Sequence, residues 1–290
     1  MARDILSVGE YTIIRRIGNG ARSTIYLATD ELDGSTVALK RVIVERPEDH
    51  RVIEQTETEY KVAREIDHPY IRKCFRMQKV RSMFKVRELL LSMEHFEGKT
   101  LEDTTTLSLG DVLLVFRMVA TGLNAMHQRG FVHCDIKPNN ILINKSGTIK
   151  IIDLGQSCRI GTIKSRIQGT PDYIAPEQVK RKSLTPKTDI FNLGATMYWA
   201  LTGKNVPTLI PKKQKAVGLL EPVKCHPPHE LKKQLPVGIS MLVMDCVKND
   251  PAERPSNMVE IISGLDTMIH SIFGGKIKAN RNASSNNRSA

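Results

Sequence analysis

His133-Cys134-Asp135-Ile136-Lys137-Pro138-Asn139-Asn140 is followed, thirteen residues past Asn140, by Asp153-Leu154-Gly155. The two segments place two carboxylates, an amide and a lysine within one short region, the second carboxylate in a turn after the apolar strand Thr148–Ile152. Upstream, residues to about 95 read mostly as strands. Tyr11–Ile17 and Thr24–Ala28 flank a glycine turn, and Thr36–Val44 is β-branched with alternating exposure. Pro47 opens a helical stretch to about Ile66, broken by Asp67-His68-Pro69, and strands return near Ile71–Gln78 and Arg87–Met93. Beyond Gly98 the pattern turns helical. Ser108 and Asp111 look like a capping box ahead of an apolar face running from Leu109 to Met126. Asn192–Leu201 reads as a helix stopped by Gly203, and helices resume near 237–248 and 256–272 after a proline-rich connection. A strand-rich lobe followed by a helical lobe, hinged near 94–98, is an α+β arrangement.

Composition narrows the setting. The chain has 290 residues, 40% hydrophobic and 26% charged, as soluble folded proteins do. No apolar run reads as a membrane span and the start lacks a signal-peptide core, so no membrane segment is expected. Five scattered cysteines without a CxxC pair suit reduced thiols and a cytoplasmic location. The net charge of +12 is concentrated. Arg72, Lys73, Arg76, Lys79, Arg81, Lys85 and Arg87 fall in a segment without acids, as do four more cations in the tail. The segment 72–87 reads as a solvated strand pair, with a surface for an acidic partner as the alternative. Lacking interleaved aromatics or a nucleic-acid motif, it gives no reason to expect nucleic acid.

The chemistry follows from the residue types. Moving a phosphoryl group to a hydroxyl requires a carboxylate near the hydroxyl proton, metal ligands on the phosphates and cationic stabilisation of the transferring charge. Asp135 can accept the proton, Lys137 can reach the γ-phosphate, and Asn140 with Asp153 can ligate a divalent metal, for which Mg²⁺ suits an oxygen-rich site. Gly18-Asn19-Gly20-Ala21-Arg22-Ser23 sits between two strands, which argues against a phosphate loop at a helix start and suits a hairpin folding over phosphates. Lys40, inside the apolar run Val37-Ala38-Leu39-Lys40, needs a carboxylate if buried, and the helix from Pro47 to Ile66 offers several.

In order along residues 9–270, these motifs with Gly169-Thr170-Pro171-Asp172-Tyr173-Ile174-Ala175-Pro176-Glu177 and Asp250-Pro251-Ala252-Glu253-Arg254-Pro255 resemble those of the eukaryotic-like Ser/Thr protein kinase catalytic domain, its bacterial branch included. The resemblance implies a bilobal protein-kinase fold, with a small β-rich N-lobe (about 9–95) carrying one regulatory helix and a larger helical C-lobe (about 96–270). Residues 271–290 are left as a basic, disordered tail. It implies ATP with Mg²⁺ (or Mn²⁺), protein substrates, and Lys40 paired with Glu59 on the α/β-phosphates. Ile17, Gly18, Asn19, Gly20, Ile25, Ala38, Met93, Glu94, Phe96 and Leu142 are implied around the nucleotide. Thr170 and Pro171 are implied as the substrate platform, and His133, Glu177, Asp189 and Arg254 as structural supports. Lys137 with Thr170 fits the Ser/Thr-directed pattern.

Two departures bear on regulation. Cys134 replaces the arginine that, in many relatives, clamps a phosphorylated activation loop, and a thiol offers phosphate no bidentate fork. Independence from phosphorylation at Ser157, Thr162 or Ser165 is therefore expected. Cys134 reads as a small filler, with a redox sensor as the alternative. Ala63 and Cys74, at positions matching the family's hydrophobic spine, are small and would leave the helix of Glu59 loosely packed. A binding module that kept the fold without turnover would be expected to lose Lys40, Asp135, Asn140 or Asp153; all four are present.

Overall fold

The computed structural model describes residues 7–20, 22–46, 49–82, 85–104, 107–210 and 225–286. Pro47, expected to open the first helix, and most of the proline-rich connection lie outside the described residues.

The N-terminal sheet is antiparallel and contains β1 (Ser7–Val8), β2 (Tyr11–Gly20), β3 (Ser23–Asp30), β4 (Thr36–Ile43), β5 (Cys74–Ser82) and β6 (Lys85–Glu94), in spatial order β1-β2-β3-β4-β6-β5. Between β4 and β5 the chain forms α1 (His50–Glu65). Its buried residues Ile53, Thr56, Glu59, Val62 and Ala63 recur at helical spacing and turn one face onto the sheet. Glu59 is the charged exception on that face. Four cations of the basic segment have acids of this chain as partners: Arg72 with Glu59, Lys73 with Asp67, Arg76 with Glu10 and Asp30, and Lys79 with Glu57. That internal pairing favours the solvated strand pair over an acidic partner.

The C-terminal part holds β7 (Lys99–Thr100), α2 (Leu109–Gln128), β8 (Phe131–Val132), β9 (Ile141–Ile143), β10 (Ile149–Ile151), β11 (Cys158–Arg159), α3 (Pro176–Val179), α4 (Pro186–Thr202), α5 (Pro228–Leu231), α6 (Val237–Cys246) and α7 (Met258–Asn286). Short strands pair as β10-β9-β7 and β11-β8. The capping box of α2 is formed: Asp111 N–H donates to Ser108 Oγ (3.2 Å), and Ser108 N–H donates to the Asp111 carboxylate (3.0 Å). α2 is long and apolar enough to cross a membrane, but Val112, Val115, Phe116, Val119, Leu123 and Met126 are buried inside the protein, as in a core helix. α4 begins at Pro186, well before the apolar run from Asn192, because Thr185 caps it and proline fits a first helical turn.

The tail differs from its sequence reading. Residues 271–286, expected to be disordered, continue α7 as helix, and 287–290 lie outside the described residues. Met258, Ile261 and Leu265 are fully buried and seed the helix; no proline follows to stop its propagation.

One apolar cluster runs through both lobes. Ala38, Val62, Ala63, Ile71, Cys74 and Met93 of the first join Leu113, Phe116, Ile136, Ile151 and Leu154 of the second. Backbone bonds reinforce the joint, Arg72 N–H to Ile151 O (3.1 Å) and Ile151 N–H to Tyr70 O (2.8 Å). The two-lobed α+β arrangement is the one expected.

Candidate active site

A cleft of about 640 Å³ opens between the lobes. Ile17, Gly18, Asn19, Gly20 and Ile25, on the β2–β3 hairpin, line it from the N-lobe, with Phe96 from the connection and Leu142 from β9. Lys40, Glu59, Lys137, Asn140 and Asp153 reach the same cleft. Three further residues expected around the nucleotide lie on β4 and β6. Ala38 and Met93, opposite each other on the two strands, are buried. The Glu94 carboxylate is engaged with the Lys150 ammonium (2.7 Å) and the Lys73 N–H (3.2 Å). The sequence marks these positions as hinge neighbours but does not reveal how tightly the two strands close over them.

Glu59 serves two cations. Lys40 Nζ donates to its Oε2 at 2.7 Å, and Arg72 Nη2 donates to its Oε1 at 3.2 Å. Burial pushes the Lys40 ammonium toward its neutral form, but the Glu59 and Asp153 carboxylates outweigh it, so its pKa is raised and the lysine stays charged. Sequence reasoning missed Arg72. It belongs to a run of cations that resembles a solvated face, and only its placement next to α1 singles it out.

The loop after β8 is built around Asp135. Thr170 donates to Asp135 Oδ1 through both its N–H (3.0 Å) and its Oγ1 (2.9 Å). Lys137 Nζ bridges Asp135 Oδ2 (2.9 Å) and Thr170 Oγ1 (2.8 Å). Asn140 Nδ2 donates to the Asp135 carbonyl (2.8 Å), which fixes the amide end for end and leaves Oδ1 as its acceptor. Asp135 N–H donates to His133 Nδ1 (3.2 Å), leaving Nε2 to donate to the Ile152 carbonyl (3.3 Å) just before Asp153. His133 thus joins the His133–Asn140 loop to the turn of Asp153. Asp153 itself adopts a left-handed conformation (φ 62°), as the chain turns from β10 into the 3-10 turn Leu154–Gln156 against α1.

Below the loop, buried Asp189 accepts from the N–H groups of His133 and Cys134, both at 2.8 Å, and from His127 Nε2 at 2.8 Å. Cys134 has φ 68°. Glu177 and Arg254 form a buried bidentate pair at 2.8 and 2.9 Å. Gln178 is a second residue that sequence reasoning missed. Its Nε2 donates to the carbonyls of Cys134 (2.8 Å) and Gln168 (3.0 Å), while its Oε1 accepts from Ala175 N–H (3.0 Å) and Asn192 Nδ2 (3.1 Å). It stitches the segment ending at Thr170-Pro171 to the loop of Asp135. Gly169 makes that approach possible: at φ 132° it favours glycine, and a Cβ would press on Ile174 and Gln178. Of the three loop hydroxyls, Ser157 is buried, Thr162 Oγ1 donates to the Arg159 carbonyl (2.7 Å), and Ser165 is exposed.

A divalent cation fits what this cleft offers. The Asp153 carboxylate and the Asn140 amide oxygen are hard donors, too few to enclose an ion and suited to one that keeps water and phosphate ligands.

The family model for the protein kinase domain matches residues 11–264. The chain is 27% identical over 289 residues to serine/threonine-protein kinase PknD of Chlamydia pneumoniae, across 89% of this chain and 31% of that protein. It is 31% identical over 204 residues to serine/threonine-protein kinase PrkC of Bacillus subtilis, across 68% of this chain and 31% of that one. It is 35% identical over 202 residues to serine/threonine-protein kinase CST20 of Candida albicans, across 67% of this chain and 16% of the relative. The chain therefore spans less than a third of the length of these curated relatives.

Proposed function

This chain belongs to the protein kinase family, and on that footing we propose that it transfers the γ-phosphoryl group of Mg·ATP to serine and threonine hydroxyls of protein substrates. One observation carries the reading: Asp135, Lys137 and Thr170 form a closed hydrogen-bonded group at the cleft, with Lys40 held by Glu59 opposite. Asp135 takes the proton of the substrate hydroxyl as its oxygen bonds to the γ-phosphorus and the bond to the β-phosphate oxygen breaks, releasing ADP. Lys137 swings its ammonium from Asp135 to the transferring oxygens and offsets their charge. Lys40 meets the phosphates of the nucleotide while Glu59 keeps it oriented. Asn140 and Asp153 would hold Mg²⁺, which when bound neutralises charge on the β- and γ-phosphates; Mn²⁺ suits the same oxygen donors. Thr170 and Pro171 flank the position of an extended peptide.

Phosphorylation of the activation segment is not required in this reading. The support is that Thr170 holds Asp135, and Gln178 ties Gln168 to Cys134, through side chains that carry no phosphate-accepting role in this contact. Incubation with γ-labelled ATP, Mg²⁺ and a generic protein substrate tests both points. Label is expected on serine and threonine, and to vanish in Asp135→Asn while that variant is still stabilised by Mg·ATP. A Thr162→Ala/Ser165→Ala double variant should keep activity within a few-fold. Absence of label with Mg²⁺ and with Mn²⁺ would overturn the transfer reading, and a loss of about tenfold or more in the double variant, about 1.4 kcal/mol in the barrier, would overturn the second.

A further inference from the structure

Transfer chemistry leaves one pair of nucleophiles unused. The sulfurs of Cys134 and Cys158 lie 3.8 Å apart, and both thiols are free. Cys134 follows the end of β8, Cys158 opens β11, and the two strands pair antiparallel through Cys158↔Val132 and Arg159↔Phe131. With Val132 and Leu184 the thiols form a small apolar cluster separate from the main core. Their spacing is van der Waals contact; a disulfide bond of about 2.0 Å needs the sulfurs to approach each other by about 1.8 Å.

The two sides differ in their freedom to move. Cys134 is held on both flanks, its N–H by Asp189 and its carbonyl by Gln178, and its side chain is buried. Cys158 is half-buried on a strand of two residues that leads into an exposed loop. They differ in reactivity in the same sense. Cys134 is the more buried; its hydrogen bond with the Cys158 sulfur, in which either thiol can donate, and its burial raise its pKa well above the ordinary thiol value. The same bond, helped by the Lys164 ammonium, lowers the pKa of Cys158 despite its partial burial. A half-buried sulfur on a short edge strand, its pKa drawn down, 3.8 Å from a buried and fixed partner, is the arrangement of an attacking and a resolving thiol.

We propose that Cys134 and Cys158 are a modification site for small hydroperoxides, closing to a disulfide that ties the catalytic loop to the start of the activation segment. The Cys158 thiolate attacks one peroxide oxygen, the O–O bond breaks, and hydroxide leaves to become water, giving a sulfenic acid. The Cys134 sulfur then bonds to the Cys158 sulfur as the S–O bond breaks, and the departing hydroxide takes the Cys134 proton as a second water. Two thiols lose two electrons and two protons; one hydrogen peroxide is reduced to two waters. The movement falls on Cys158, because Cys134 is the fixed partner, so the bond anchors the segment without dislodging Asp135. It does covalently what a phosphate on an arginine would do, at the position where this chain has no arginine.

Peptide mapping of the full chain tests the site without depending on turnover, so its result stands apart from the kinase reading. The protein is exposed to hydrogen peroxide, its remaining thiols are blocked, and a non-reducing digest is weighed. The expected product is a Cys134–Cys158 cross-linked peptide, two hydrogens lighter than the dithiol and restored by dithiothreitol. Cys134→Ser should leave a sulfenic acid on Cys158 that dimedone captures, and Cys158→Ser should leave Cys134 unoxidised. Wild-type protein decides the matter even if a variant misfolds. Oxidation of Cys158 to sulfinic acid with no cross-link, or oxidation of Cys225 while Cys158 stays a thiol, would overturn the assignment.

Discussion

Asp189 is a carboxylate taken wholly out of water, and the residues around it show what makes that tolerable. Burial alone would raise its pKa. The hydrogen bond from His127, with help from the Cys134 N–H, outweighs burial and holds it below the usual carboxylate range. The sign of the linkage follows. The unfolded value near 3.9 lies above the folded one, so ionised Asp189 stabilises the fold above about pH 4, and that contribution is lost as pH falls through the depressed folded value. Asp189→Asn is expected to melt several degrees lower at neutral pH and to lose less stability on acidification below about pH 4. Thermal melts across pH decide this, and parallel acid limbs for the two proteins would sink it. Arg72 acts through Glu59 in a comparable way. Replacing it by leucine leaves one carboxylate oxygen of Glu59 buried without its donor while Lys40 keeps the other, a loss of about 1–2 kcal/mol in positioning, or roughly tenfold in kcat/KM. Arg72→Lys should recover most of it. Equal activity in the leucine and lysine variants would mean Arg72 is packing alone.

Elements meet closely where side chains are missing. Gly194 of α4 faces α6, and a Cβ there would collide with the Cβ of Cys246 and crowd Val247. Gly194→Ala is therefore expected to destabilise by about 1–3 kcal/mol, because backbone rather than a flexible side chain must yield. A denaturant titration with an unchanged midpoint would show that α4 and α6 separate freely. The sequence betrays nothing of this, since a glycine inside a helix looks only like a weak helix former. What it does betray is local. The capping box of α2 is legible because its donors and acceptors are three residues apart, and the His133–Asn140 loop because its groups are contiguous. Glu59 could be paired with Lys40 in advance through the family's spacing. Arg72, Gln178 and Cys158 could not be read, since each acquires its partner only by folding: Glu59 thirteen residues away, Cys134 forty-four away from Gln178, and Cys134 again twenty-four away from Cys158. The early end assigned to α7 has another reason: the Gly274-Gly275 pair and the polar composition after it read as a helix end, and the helix runs through both.

At the scale of the molecule, the cleft divides two lobes that share their largest apolar cluster, beside two smaller clusters of the N-lobe around Tyr11 and Val42. The cluster containing Val62, Ala63 and Cys74 continues into Phe116, Ile136 and Leu154, and the Tyr70–Arg72 backbone is bonded to Ile151. The small Ala63 and Cys74 raised the prospect of a loosely held α1. In the fold both are buried in that shared cluster, and Glu59 adds its two cations to the same helix. Such continuity predicts that the lobes unfold together. Trp199, the single tryptophan, sits on α4 far along the chain from the N-terminal sheet, so its fluorescence reports the C-lobe while far-UV circular dichroism reports both. The two signals should give one coincident transition. Mg·ATP, touching the hairpin of one lobe and Asn140 and Asp153 of the other, should raise both midpoints by the same amount, about 2.7 kcal/mol of stabilisation at a hundredfold excess over Kd. If ellipticity were lost before Trp199 responded, or the nucleotide moved only one of the two midpoints, the shared cluster would not be the cooperative unit, and α1 would depend on the nucleotide rather than on the core to stay in place.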